Sequence, residues 1–319
     1  MLDNQSKASA VAFVEVDSGY EGQRIDNFLL CRLKGVPRSY IYRILRRGEV
    51  RVNKGRVRAS YRLQEGDVVR VPPVRVAEQP QPARPHERVL QQLREAVLIE
   101  DKRLLALNKP AGIAVHGGSG LNYGVIEAMR VLRPEERQLE LVHRLDRETS
   151  GCLLIARKRS ALRALHELLR NNKMDKRYIA LLAGCWEKQR ADVDAPLLKN
   201  TLQGGERVVR VNSEGKSALT RFRVLERFSN ATLVEAKPVT GRTHQIRVHA
   251  AHLGHPILGD EKYGESKTNK QFRELGLKRL FLHAESLRFK WPDEKQEQCI
   301  KAPLESSLET LLKKLRLDH

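Results

Sequence analysis

The chain has 319 residues, with 59 Lys and Arg against 39 Asp and Glu, and a formal charge of +20. Apolar residues make up 40%, enough for a packed core, and no apolar run nears the ~20 residues of a spanning helix, which excludes an integral membrane protein. Four cysteines (Cys31, Cys152, Cys185, Cys299) form no CxxC pair, which excludes a zinc ribbon and argues against a disulfide scaffold.

Residues 1–19 read as an N-terminal tail, its first fifteen residues either loose or added to a sheet as an edge strand. No basic stretch leads into an apolar one there, so no secretory signal is expected and a cytoplasmic protein with reduced thiols is. A small basic module follows over residues 20–75. Ile25, Phe28, Leu29 and Leu33 recur at helical spacing. After Pro37, Ser39 is placed to cap a second helix with the apolar stripe Ile41, Ile44 and Leu45, which Gly48 ends. Val50–Val52 alternates as a strand into an Asn53-Lys54-Gly55 turn, and Asp67–Val71 supplies another strand.

Between Arg32 and Arg62 lie eleven basic residues and one acid, Glu49. That density exceeds an ordinary solvated face and predicts contact with a polyanion, most simply a nucleic-acid backbone. Arg38, Arg43, Arg46, Arg47, Arg51, Lys54 and Arg56 are the residues predicted to make it. Aromatics are 5% of the chain, so stacking of bases on a sheet is not expected; shape and phosphate recognition in structured RNA is.

Five of the thirteen prolines fall between Pro72 and His86, and the stretch 76–86 reads as an extended linker. The larger unit, 87–319, has strand patterns at Val97–Glu100, Leu104–Asn108, Cys152–Ala156, Tyr178–Ala183, Ala218–Leu225, Thr232–Ala236 and Phe281–Phe289. Helical periodicity marks Ser160–Asn171, Thr243–Leu253 and Pro303–Leu315. Strands joined by short loops predict an α+β fold on a mixed, largely antiparallel sheet. With no GxGxxG after a strand and no GxxxxGK[ST], no nucleotide cofactor is expected.

Two polar segments are dense enough to carry chemistry. Leu141-Val-His-Arg-Leu-Asp-Arg-Glu-Thr-Ser-Gly151 enters a buried strand, where a rigid scaffold can hold functional side chains still. Arg144 and Arg147 flank Asp146 and would keep it ionised, suiting it to act as nucleophile or base; the competing reading is a surface loop knitted by ion pairs. In Thr240-Gly-Arg-Thr-His-Gln-Ile-Arg-Val-His249, a helix from Arg242 or Thr243 would put His244, Arg247 and Val248 on one side. The histidines at 244, 249, 252 and 255 lack HExxH or a nearby cysteine, so packing or RNA contact is expected of them and a metal is not. Neither a GxSxG elbow nor paired glycosidase carboxylates are present.

The module from Gly22 to Val71 resembles the S4 (αL-type) RNA-binding domain, through the run from Arg38 to Asn53. His143–Gly151 and Gly241–His249 together resemble the signature motifs of the RluA-type pseudouridine synthases. Lys109-Pro-Ala-Gly112 with His116-Gly, and Lys176–Gly184, match further stretches in the same order, over about Val97 to Phe289. The resemblance implies Asp146 as catalytic aspartate and Arg144 as the residue filling the stack vacated by a flipped uridine. It implies Tyr178 packing on the target base, Arg247 pairing with the aspartate and Ile246 as an apolar pocket wall. An S4 module before this unit resembles enzymes of large-subunit ribosomal RNA, which implies a monomeric, cofactor-independent isomerase acting on 23S ribosomal RNA. Two rivals stand beside it: a non-catalytic RNA-binding or ribosome-assembly protein, and the same chemistry on transfer RNA.

Overall fold

The computed structural model describes residues 11–33, 35–74, 85–118, 123–136, 138–201 and 207–317. The chain divides into two compact units, Met1–Ala83 and Arg84–His319.

In the first unit the apolar spacing folds as the periodicity predicts. It contains β1 (Ala12–Glu15), α1 (Ile25–Arg32), α2 (Arg38–Arg47), β2 (Arg51–Val52), β3 (Gly55–Arg56) and β4 (Val68–Val71). Ile25, Phe28 and Leu29 of α1 meet Ile41, Ile44 and Leu45 of α2 over Val50, Val52 and Val69, forming one core. Burying each such side chain stabilises by about 1.5–3 kcal/mol, which is what fixes both helices. The strands run antiparallel in the order β1-β4-β2-β3. Ala12–Glu15 pairs with β4, so this part of the expected tail is an edge strand; residues 1–10 of it lie outside the described residues.

Helix α2 begins earlier than a Ser39 cap requires. The Pro37 carbonyl accepts from the Tyr40 and Ile41 amides, so Pro37 is the N-cap and Ser39 lies in the first turn. Gly48 ends the helix at φ 71°, a conformation glycine enters without steric cost. Asn53 and Lys54, at φ 49° and 68°, make the two-residue turn that matches strand twist between β2 and β3.

The expected linker lies outside the described residues as far as Arg84; Pro85 and His86 lead into the second unit. That unit begins with α3 (Glu87–Glu95), β5 (Val97–Glu100), β6 (Leu104–Lys109), α4 (Val125–Leu132), β7 (Glu140–Leu141), β8 (Ser150–Ala156) and α5 (Arg159–Arg170). It continues with β9 (Met174–Ala183), β10 (Arg190–Asp194), β11 (Leu197–Thr201), β12 (Arg207–Val211), β13 (Leu219–Arg227), β14 (Ala231–Pro238) and α6 (Gln245–His252). It ends with α7 (Ser266–Glu274), β15 (Leu282–Lys290), β16 (Glu297–Lys301) and α8 (Ser306–Leu317).

One mixed sheet runs β10-β13-β14-β9-β15-β8-β6-β5, with β16 on β15, β7 on β8, and β11 and β12 forming a separate hairpin. All pairings are antiparallel except β8 with β15. Strand β8 is buried on both faces because its side chains alternate between two cores. Cys152, Leu154 and Ala156 pack with Ala161, Leu165 and Leu168 of α5 on one face. Leu153 and Ile155 pack with α3 and α4 on the other.

The parallel β8–β15 contact is narrow, pairing Ser150 with His283 and Gly151 with Ala284. A Cβ on Gly151 would lie 2.2 Å from the Ala284 carbonyl oxygen, and its φ is 109°. The glycine ending the 141–151 segment is therefore what lets two strands meet in mid-sheet, just beyond the polar loop.

Candidate active site

Strands β9, β14 and β15, helices α5 and α6 and the loops at 114–116 and 142–149 converge around a cavity of about 900 Å³. Asp146, Arg144, Tyr178, Ile246 and Arg247, the five residues expected at a site in this unit, all line it. Tyr178 of β9 lies between alanines, Ala236 on β14 and Ala284 on β15, so its ring has room over the sheet. A bulge in β15 between Ala284 and Ser286 faces Tyr178 and Arg177; such bulges bend a strand and re-aim side chains next to sites.

The Asp146 loop is held from three directions. At its start, the half-buried His143 ring accepts the Leu154 amide through Nε2 (3.2 Å). Burial first, then Lys176, pushes the His143 pKa down to about 4, which agrees with a ring nitrogen that must stay unprotonated to accept. In its turn, the Thr149 amide donates to the Asp146 carbonyl. From below, Lys109 Nζ donates to the carbonyls of Pro110 (2.8 Å), Ile113 (2.9 Å) and Arg147 (3.1 Å). Lys109 is fully buried, and burial followed by the Arg279 charge pushes its pKa down to about 7, against the pull of Glu148 and Asp146.

The charges beside Asp146 are not those expected from sequence adjacency. Arg147 turns away, donating to the Gly112 carbonyl (2.9 Å) and pairing with Glu148 (3.5 Å), and Arg144 is exposed at the cavity edge. Instead Arg247 Nη1 stands 3.6 Å and His244 Nε2 3.9 Å from Asp146 Oδ2. Arg247 is fixed by another carboxylate: Nε donates to Asp260 Oδ2 (2.7 Å) and Nη2 to Oδ1 (2.8 Å). Burial disfavours the Arg247 charge, but Asp260 and Asp146 outweigh it and keep the guanidinium protonated. Burial, with the Asp146 charge, pushes the Tyr178 phenol well above its ordinary range, so it enters any reaction protonated.

Helix α6 starts at Gln245 rather than at Arg242 or Thr243. His244 is its N-cap in the left-handed region, so it does not share a helical face with Arg247 as the periodicity predicts. The remaining histidines of the motif separate: His249 is buried between Thr220 Oγ1 and the Ala195 carbonyl, and His255 stacks on Trp186. Among the described residues no three His, Cys, Asp or Glu side chains are grouped as metal ligands.

In the first unit, Arg38, Arg43, Arg46, Arg47, Arg51, Lys54 and Arg56 are all exposed. Arg43, Arg46 and Arg47 line one shallow depression with Tyr40, over whose ring the Arg43 guanidinium lies at 4.4 Å.

Comparison with known proteins decides between an enzyme and a plain RNA-binding protein. Residues 103–252 match the RNA pseudouridylate synthase family, and residues 23–69 match the S4 domain. Ribosomal large subunit pseudouridine synthase C of Yersinia pestis is 58% identical over 308 residues, 96% of either chain. The chain belongs to the RNA pseudouridylate synthase family. The enzyme of the same name from Escherichia coli is 56% identical over 315 residues, 98% of this chain and 99% of that one. Among solved structures, human RNA pseudouridylate synthase domain containing 4 superposes with a TM-score of 0.60 at 28% identity, covering 72% of this chain and 95% of that one. Both folds expected from sequence, the S4 module and the α+β synthase unit, are thereby established.

Sequence reasoning missed three residues that support this synthase site: Asp260, Lys109 as an anchor of the loop, and Tyr263, whose ring lies 5.0 Å from the Arg247 guanidinium and whose hydroxyl lies 2.8 Å from His244 Nδ1. Lys109 opens the Lys-Pro-Ala-Gly motif, but nothing in that motif's composition shows which way the amine turns. A lone Asp260 in a Leu-Gly-Asp turn offers no local signal, because its partner Arg247 is thirteen residues away across a turn.

Proposed function

We propose that the chain isomerises uridine to pseudouridine in 23S ribosomal RNA of the large subunit, with Asp146 as the reacting carboxylate. The observation that carries this is one cavity in which Asp146, Tyr178, Ile246 and Arg247 face a common space of about 900 Å³. That volume is near the upper end of the ~300–1,000 Å³ usual for small-ligand sites, room for an extruded nucleotide. The ribosomal target is supported by near full-length identity to relatives named for the large ribosomal subunit.

A stacked uridine hides its glycosidic bond and must leave the helix first, at a cost of a few kcal/mol. Arg144, exposed beside the cavity, is suited to occupy the vacated stack and offset part of that cost. The extruded base would lie against Tyr178 and Ile246, away from water that could capture the detached uracil. The reaction then breaks C1′–N1, turns the retained base and joins C1′ to C5; the C5 proton is lost and N1 gains one. An ionised Asp146 serves either route to this product, by covalent attack on the nucleoside or by removing the C2′ proton to give a glycal. Both routes conserve atoms and oxidation state, so neither calls for a redox or nucleotide cofactor. Activity on ribosomal RNA implies a cytoplasmic protein.

Carbodiimide-primer extension on total RNA tests this in cells with and without the gene. Deletion is expected to remove stops in 23S ribosomal RNA that the intact gene restores and Asp146→Asn does not, while the purified variant binds RNA within a few fold of wild type. Loss of stops in transfer RNA alone would move the substrate, and restoration by Asp146→Asn would remove Asp146 from the chemistry.

A further inference from the structure

His244 departs from ordinary backbone geometry beside the reacting carboxylate. It has φ 52° and ψ 19°, a conformation that costs most side chains energy and is retained where the surroundings enforce it. The neighbouring Gln245 side chain does so. Its Oε1 accepts from the Arg242 amide (3.0 Å) and Thr240 Oγ1 (2.7 Å), and its Nε2 donates to the Leu219 carbonyl and Thr220 Oγ1. The backbone before and after His244 is thereby anchored to β13.

The imidazole is fixed as closely as the backbone. Its Nδ1 lies 2.8 Å from Tyr263 Oη, with the two rings edge to face. Tyr263 Oη accepts the Val209 amide at 3.1 Å and keeps its hydroxyl hydrogen free to donate to Nδ1; the carboxylate opposite Nε2 favours that arrangement, because only an Nε2–H can donate to it. A neutral ring that accepts at Nδ1 carries its hydrogen on Nε2. Nε2 faces Asp146 Oδ2, the same oxygen that Arg247 Nη1 approaches. Burial, reinforced by the Arg247 and Lys262 charges, holds the His244 pKa below the ordinary imidazole range, while Asp146 and Asp260 pull it upward. The ring is thus neutral near pH 7.

We propose that His244 is a positioning residue for Asp146: its Tyr263-fixed Nε2–H, together with Arg247, engages Oδ2 and leaves Oδ1 as the oxygen that meets the nucleoside. The inference rests on the functional reading of Asp146 given above. The present separations of 3.6 and 3.9 Å exceed hydrogen-bond length, and such contacts commonly tighten when substrate excludes water.

The test uses the full chain and a 23S ribosomal RNA transcript tritiated at uracil C5, read by tritium release under single turnover and by filter binding. His244→Leu removes the donor and is expected to slow release about 10- to 100-fold, the range for one hydrogen bond to a charged group, with RNA affinity within twofold. His244→Gln returns an N–H and should recover part of that loss. Tyr263→Phe keeps the ring but frees the imidazole tautomer. It should slow release and move the acid limb of the pH–rate profile to higher pH, because Nδ1 is then open to protonation; Asp146, Arg247, Lys262 and Asp260 face the ring unchanged. Wild-type release by His244→Leu, or a Tyr263→Phe profile that falls in amplitude without moving, overturns the assignment. If wild type is active and Asp146→Asn is not, that failure concerns His244 alone; a wild-type protein without release overturns the functional reading and His244's role with it.

Discussion

Replacing Asp260 with asparagine takes the charge from the carboxylate that fixes Arg247, and the structure sets the size of the effect. The Asp260 side chain is 0% exposed and that of Arg247 9%, so the guanidinium loses its partner in a site that water scarcely reaches. If the amide oxygen keeps the Oδ1 position, it retains the Lys262 and Tyr263 amides. The amide nitrogen then meets Arg247 Nε, donor against donor. Removing one partner of a buried pair costs about 3–5 kcal/mol. Asp146, 3.6 Å from Nη1, can take up part of the stranded charge, which argues for the lower figure. At about 2–4 °C per kcal/mol for a unit of this size, a loss of ~3 kcal/mol lowers Tm by roughly 6–12 °C. Calorimetry of the full chain at pH 7 reads this directly.

The pH dependence has a defined sign. Burial opposes ionisation of Asp260, yet Arg247 and the two amides outweigh it and hold the carboxyl below its ordinary range. The stability it contributes is therefore complete above the unfolded value of ~3.9 and is lost as pH falls through the lowered native value. The gap between wild type and variant should stay constant from pH 5 to 8 and narrow in stronger acid. A Tm within 2 °C of wild type at pH 7 would falsify the view that this pair is the anchor of Arg247.

Two further outcomes are expected. Gly151→Ala drives a methyl to 2.2 Å from the Ala284 carbonyl at a positive φ, and should cost ~3 kcal/mol or more by prising β8 from β15; a native urea midpoint would show that the strands separate without cost. Changing Arg43, Arg46 and Arg47 to glutamine leaves the buried stripe of α2 intact, so folding should hold. The log–log salt slope of RNA binding should fall by about 0.7–0.9 for each phosphate that is no longer neutralised, and an unchanged slope in filter binding would remove this face from the interface.

What is legible in the sequence follows from local pattern. Strands β6, β8, β9 and β13 to β15 announce themselves because each alternates or is wholly apolar over several residues, and α5 and α8 carry leucines at helical spacing. Helix α7 does not, since only Asn269 and Phe272 of its nine residues are buried, too few to draw a stripe. The β11–β12 hairpin mixes polar and apolar residues and belongs to no large core. At the site, residues inside dense motifs can be found from sequence and those that complete them cannot. Adjacency pairs Arg144 and Arg147 with Asp146, but a turn sends neighbouring side chains in different directions. The actual partners, Arg247 and His244, arrive from a helix start about a hundred residues later. The left-handed cap at His244 is invisible for a related reason: it depends on Gln245 reaching Leu219 and Thr220, contacts that sequence spacing does not encode.

The order of ion pairs around Arg247 bears on how reactive Asp146 can be. A carboxylate held bidentate by arginine has its charge matched and its lone pairs engaged, which suits recognition and blunts attack. Here the bidentate role goes to Asp260, whose Oδ1 also receives two backbone amides. Asp146 receives only the outer Nη1, at 3.6 Å. Two carboxylates share one guanidinium, so the group keeps a net negative charge, and geometry concentrates it on the residue facing the cavity. In a chain of net charge +20, that local negative site sits among groups suited to hold phosphates. Its lone pairs stay open toward the cavity because Asp260, not Asp146, takes the bidentate contact with the guanidinium. The same reasoning predicts that Asp260→Asn loses more rate than its stability loss explains, because a released Arg247 can close bidentate on Asp146 itself. Single-turnover rates measured well below the variant's Tm separate the two effects: a rate equal to wild type there would mean that Arg247 holds its place without Asp260.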